Sequence, residues 1–166
     1  MKTQTTYQEK LKTTFSTVPI YSLKLVKAGN IKYPVDTVRD CRQAESVLRV
    51  YLEDKDCEHL AVVLLDGHNN MIGISTISIG GIACVQVAMR DIFKFAINGR
   101  ASAMVLGHNH PSGNTEPSHE DIVFTKRVKA AGELMGIPLV DHVIISSGFK
   151  KSTYSFCQHN MEWNKD

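Results

Sequence analysis

Two short, largely apolar runs constrain this chain more than any other feature. Glu58-His-Leu-Ala-Val-Val-Leu-Leu-Asp66 and Ala101-Ser-Ala-Met-Val-Leu106 are each bounded by charge or glycine and are too short for helices of ordinary length. A strand that is apolar at successive positions must be covered on both faces. Segments with helical period can supply the cover. Val38, Cys41, Ala44, Val47, Leu48, Tyr51 and Leu52 recur at helical spacing, which predicts a helix from about Thr37 to the charged cluster Glu53-Asp-Lys-Asp56. Val85, Ala88, Met89, Ile92, Phe93, Ala96 and Ile97 predict a second helix, stopped by Asn98-Gly99.

The remaining elements fill in between. Val18 to Val26 alternates apolar and polar residues from Ile20 to Leu25 and predicts a first strand at a sheet edge, closed by Gly29-Asn30. Asn69-Asn70 suits a hairpin turn into a strand from Met71 to Ile79. A polar loop over 107–117 leads to a third helix beginning at Ser118, with a buried stripe through Phe124, Val128, Ala131 and Met135. Leu139 to Ser146 and Ser152 to Cys157 read as the last strands. The order β-α-β-β-α-β-α-β-β mixes a hairpin with helical crossovers, so the fold class is α/β (α+β), a mixed sheet flanked by helices. Residues 1–18, polar and without period, read as a flexible arm, and 19–166 as one domain.

Bulk properties exclude several classes. With 166 residues, 43% hydrophobic and 22% charged, the chain suits one compact domain with a real core. A net charge of +2 and no block of basic residues give a weak footprint for nucleic acid. Cys41, Cys57, Cys84 and Cys157 lie far apart, with no C-x-x-C, and read as reduced thiols. The polar start carries no signal-peptide core and no long apolar stretch follows, so a cytoplasmic protein is expected and a membrane partner is not.

Chemistry concentrates after the second apolar run, in His108-Asn-His-Pro-Ser-Gly-Asn-Thr-Glu-Pro-Ser-His-Glu-Asp121. His108 and His110 are two residues apart in chain that should still be extended, so both imidazoles project to one side. Pro111 disfavours helical backbone at His110. Ser118 has the features of a helix N-cap, with Asp121 in the first turn. Asp121 lies three residues before Phe124 and therefore on the core-facing side of that turn. Two nitrogens and one carboxylate oxygen are a catalytic zinc set with a position left for water. Taken singly, Ser118-x-x-Asp121 is an ordinary cap, and a histidine in a polar loop is ordinarily solvated. It is their combination that points to a metal. There is no H-E-x-x-H, no P-C-x-x-C, no Walker A loop and no G-x-G-x-x-G.

His108-x-His110-x(7)-Ser118-x(2)-Asp121 resembles the JAMM (MPN-plus) metalloprotease signature. The wider text, with Thr125 and Leu139-Val-Asp-His-Val-Ile-Ile145, is more narrowly similar to the RadC family of that superfamily, over residues 36–157. The resemblance implies a JAMM/cytidine-deaminase-like three-layer sandwich, Zn2+ held by His108, His110 and Asp121, and a general base at Glu58. That base would take a proton from water activated by the metal and deliver it to a leaving amine. Glu53, Glu116 and Glu120 are poorer candidates. The resemblance also implies that Ser118 helps hold the oxyanion, a role that competes with its capping duty.

Two departures from the family stand out. Its full-length members carry an N-terminal helix-hairpin-helix region associated with DNA, which residues 1–35 are too short and too polar to form. Relatives often have a proline before the arginine in Val87-Ala-Met-Arg-Asp-Ile-Phe93. Outside the motif, His142 beside Asp141 reads as a hydrogen-bonded core pair, with a supporting place beside the metal as the alternative. His59, His68, His119 and His159 read as surface residues, and Arg39, Arg42 and Arg49 as solvated. The leading expectation is a zinc-dependent hydrolase of peptide or isopeptide bonds acting on a peptide or protein. The other classes are a non-catalytic metal-bound binding module, and a DNA-repair or mobile-element accessory with nucleic acid as partner.

Overall fold

The computed structural model describes residues 17–33, 37–80, 87–147 and 151–159. Its elements are α1 (Cys41–Leu52), β1 (His59–Leu65), β2 (Met71–Ile79), α2 (Met89–Asn98), β3 (Ala103–His110), α3 (His119–Met135), β4 (Leu139–Ser146), β5 (Thr153–Ser155) and α4 (Phe156–His159). The strands form a five-stranded sheet in the order β2-β1-β3-β4-β5. Only β3 and β4 run parallel, and the other neighbours are antiparallel. A parallel pair needs a crossover, and α3 is that crossover.

Both apolar runs become central strands, and their alternate residues feed two separate cores. On one face Ala61, Val63, Leu65, Val105, Val143 and Ile145 pack against Val38, Ala44, Val47, Leu48 and Leu52 of the α1 region. On the other face Leu60, Val62, Leu64, Met104 and Leu106 meet Ile92, Phe93 and Ala96 of α2 and Phe124 and Val128 of α3. The result is the expected α/β fold, a mixed sheet between helical layers. Asp40 starts α1 by accepting the Gln43 amide at 2.8 Å. At Gly107 a Cβ would stand 2.6 Å from Leu48 methyls, so α1 lies directly on the β3 backbone. Gly136 ends α3 with φ 67°, a left-handed turn that glycine adopts without strain.

Several local expectations need correction. Residues 17–33 form no regular element, and Ile20 and Val26 are 98% and 89% exposed. Alternation gives a segment two faces, but a strand also needs a neighbour's amides and carbonyls, and among the described residues none pairs with 18–26. α2 begins at Met89, with Val85 outside the described residues, as is the arm over 1–16. β3 runs on through His110, where a loop from 107 was expected. The last strand stops at Ser155 and turns into the single helical turn α4. In α3, Met135 is exposed, while Thr125 and Gly132 face inward. Arg49 is not solvated: its side chain is 13% exposed, pairs with Glu45 at 3.0 Å and donates to Thr153 Oγ1 and the Ser152 carbonyl. His59 is buried as well.

Candidate metal centre

The site forms where the apolar row of β3 runs out. Met104, Leu106 and His108 share the α3-facing side of the strand, and His110 is the next residue on that side. His108 is fully buried, and the His110 side chain is 17% exposed. Opposite them, α3 opens with a capping box. Ser118 Oγ accepts the Asp121 amide at 3.1 Å, and Asp121 Oδ2 accepts the Ser118 amide at 2.8 Å and the Ser118 hydroxyl at 2.6 Å. The cap and the metal-binding readings of Asp121 are therefore compatible. Ser118 occupies Oδ2, and Oδ1 stands 3.4 Å from His108 Nε2.

His108 Nε2 and His110 Nε2 are 2.9 Å apart, and His110 Nε2 is 3.7 Å from Asp121 Oδ2. Ligand atoms about 2.0–2.1 Å from one tetrahedral centre lie roughly 3.3–3.4 Å from each other. The observed separations bracket that value, so these three side chains could hold one metal ion, in agreement with their grouping as the described residues' candidate ligand cluster. Imidazole nitrogens with one carboxylate suit zinc and its first-row neighbours. His110 Nδ1 lies 2.6 Å from the Asn114 carbonyl, which can only accept. Nδ1 therefore carries a proton, so in the neutral ring it is Nε2 that presents a lone pair.

Charge follows the same geometry. Burial works to raise the Asp121 carboxyl, yet His110, His108 and Ser118 hold it well below the usual carboxylate range. The bond to Asp121 raises His110 above the ordinary imidazole value, assisted by Asn114 and by the nearby Glu58 carboxylate. Burial and the facing His142 push His108 far down.

Glu58 arrives by strand pairing. Leu60 pairs with His108 across β1 and β3, and Glu58 precedes Leu60 by as many residues as His110 follows His108. It is half-buried at the start of β1. The residue that pins it there is Asn109, which the sequence reading did not single out. Fully buried between the two histidines, Asn109 accepts the His59 amide at 2.8 Å and donates to the Cys57 carbonyl at 2.9 Å. It thus grips the backbone on both sides of Glu58. The signal was present in Asn109 itself, an amide at a strand position whose neighbours on either side are apolar or functional.

His142 was the other undervalued residue. Its Nε2 is 2.8 Å from His108 Nδ1, its Nδ1 is 2.6 Å from Thr125 Oγ1, and its ring stacks on Phe156 of α4. Burial lowers it to about 4. Asp141, expected as its partner, accepts the His142 amide at 2.7 Å and otherwise bonds Ser155 and Cys157. The ring's contacts therefore take the supporting place, and the Asp141 pairing is made by backbone. Glu116 and Glu120 are exposed, Glu53 caps the far end of α1, and none of the three joins the ligand cluster. His68, His119 and His159 are exposed as expected.

A mixed sheet that presents His-x-His at a strand end to an aspartate in a helix's first turn defines an α/β domain with a candidate metal site. The RadC-like JAB domain model matches residues 38–161, and the chain belongs to that family. It is 43% identical over 117 residues to a UPF0758 protein of Rubrobacter xylanophilus, covering 70% of this chain and 50% of the relative. A UPF0758 protein of Desulforamulus reducens is 44% identical over 115 residues, covering 68% and 51%. This chain spans about half the length of the curated relatives it matches.

Proposed function

We propose that this chain is a zinc-dependent hydrolase that cleaves a peptide or isopeptide bond. The observation that supports the reading best is the convergence of His108 Nε2, His110 Nε2 and the Asp121 carboxylate within bonding reach of one ion. Zinc held there would polarise the scissile carbonyl and raise the acidity of water beside it. Glu58, held across from His110 by the Asn109 grip, takes the water's proton and passes it to the leaving amine. Ser118 orients Asp121 in the resting site, and its hydroxyl turns toward the oxyanion as charge develops. The substrate would be a peptide or a protein tail long enough to reach the exposed side of His110. Cys41, Cys57 and Cys157 are free thiols and no described helix is long and apolar enough to cross a membrane, features that suit a cytoplasmic setting.

Zinc content of protein purified without added metal tests the ligand set. The wild type should carry close to one zinc per chain, and His108→Ala/His110→Ala only background. Equal zinc in both overturns the reading. Glu58→Gln should retain zinc and lose about 10²–10⁴-fold in hydrolysis of a peptide or isopeptide substrate. Undiminished hydrolysis would remove Glu58 from the mechanism.

A further inference from the structure

Behind His108 a chain of short contacts leads away from the ligand cluster and returns to it. His108 Nδ1 meets His142 Nε2 at 2.8 Å, His142 Nδ1 meets Thr125 Oγ1 at 2.6 Å, and Thr125 Oγ1 meets the Asp121 carbonyl at 2.6 Å. His108, His142, Thr125 and Asp121 are each at most 2% exposed, so the protein itself must satisfy these groups.

The protons in this chain can be placed one after another. A carbonyl oxygen only accepts, so the single Thr125 hydroxyl proton goes to Asp121. Thr125 Oγ1 must then accept from His142, which puts a proton on His142 Nδ1. The two nitrogens of this fully buried imidazole contact another imidazole nitrogen and a hydroxyl but no anion, and burial outweighs the more distant Asp121 charge, so His142 Nε2 is bare. That nitrogen accepts from His108 Nδ1–H. The remaining His108 nitrogen, Nε2, is left with a lone pair on the side of Asp121 and of His110 Nε2, 2.9 Å away. These two nitrogens need a proton or a metal ion between them, and a metal can enter only on the bare His108 Nε2 that this chain enforces.

We propose that Thr125 and His142 are positioning residues that lock His108 in the Nδ1–H tautomer and so prepare its Nε2 for a metal ion. A mere packing role would predict no tautomer preference, and would be satisfied by any side chain of matching shape. The consequence for metal affinity rests on the metal-centre reading above, whereas the tautomer itself does not.

The test begins with chelator-treated wild-type protein labelled with 15N-histidine, in which long-range 1H–15N correlation separates protonated from bare ring nitrogens. His108 and His142 should both show protonated Nδ1 and bare Nε2. A dominant Nε2–H tautomer at His108 overturns the proposal without recourse to any variant. Thr125→Val keeps the shape but removes the acceptor and donor. It should let His142 and His108 redistribute between tautomers and weaken zinc binding about 10–100-fold, measured by competition with a chromophoric chelator. Thr125→Ser, which retains the hydroxyl, should restore the wild-type tautomer and affinity. Wild-type tautomers and affinity in folded Thr125→Val would refute the proposal while leaving the zinc site standing. The expected tautomers in a wild-type protein that binds no zinc would support the lock and refute the hydrolase reading instead.

Discussion

The two faces of the sheet are made by alternate residues of the same strands, yet they are held together by different physics. On the α1 face, Ala61, Val63, Leu65, Val105, Val143 and Ile145 pack in one cluster with apolar side chains of the α1 region. Burial there is non-directional, and shape and area set its strength. The α2/α3 face starts the same way at Leu60, Val62, Met104 and Leu106, then continues into His108, with His142, Thr125 and Asp121 buried beside it. In that polar stretch a group without a partner costs more than a lost apolar contact of similar size. The comparison teaches that one face can give stability while the end of the other assembles the candidate metal site, with Gly107 letting α1 sit against the very strand that carries the histidines.

The sharpest way to break the comparison is His108→Ala/His110→Ala, the variant whose zinc content is predicted above. It should abolish zinc binding and still fold, because the α1 face is untouched, and circular dichroism would check this. Next in size, Leu48→Ala removes a fully buried side chain from the α1 face and should cost about 2–5 kcal/mol in urea unfolding. Zinc bound per folded molecule should stay at the wild-type level, and a parallel loss of zinc would show that the faces are not separable.

Asn109→Ala should cost about 1–3 kcal/mol, since it leaves the His59 amide and the Cys57 carbonyl without their partner. Because those groups flank Glu58, turnover should fall more than zinc affinity does. Equal losses of both would make the grip a purely structural one.

The most gradual effect is a pH dependence confined to the polar end. Burial depresses His108, and lowers His142 from the ordinary 6.5 to about 4. In the unfolded chain both would take up protons near 6.5, so below that pH the unfolded state binds more protons than the folded one. Their contribution is fully present above 6.5 and is lost as pH falls toward 4. Each histidine contributes at most about 1.4 kcal/mol per pH unit in that window. Urea midpoints of chelator-treated protein measured across it should fall, and should fall less in His142→Gln. A flat profile would show that the buried imidazoles accept protons in place.

Much of this molecule was legible in the sequence, because period and local chemistry are properties of neighbours along the chain. Period two put His108 and His110 on one side, the serine–aspartate pair marked the start of α3, and the largely apolar runs marked the central strands. What period cannot report is the partner across a gap. Ile20 to Leu25 has a strand's alternation and no neighbour among the described residues to complete it, and Arg49 sits off the apolar stripe of α1 yet is covered by Ser152 and Thr153 from the far end of the chain. Asn109, His142 and Thr125 likewise gain their meaning only when β1, β4 and α3 close around β3. The sequence by itself determined the candidate ligand set, since three residues on two adjacent elements needed only local geometry. The tertiary structure alone decided which partner each buried nitrogen faces and what grips the backbone around Glu58, because a hydrogen bond between residues distant in sequence exists only once the fold has brought them within 3 Å.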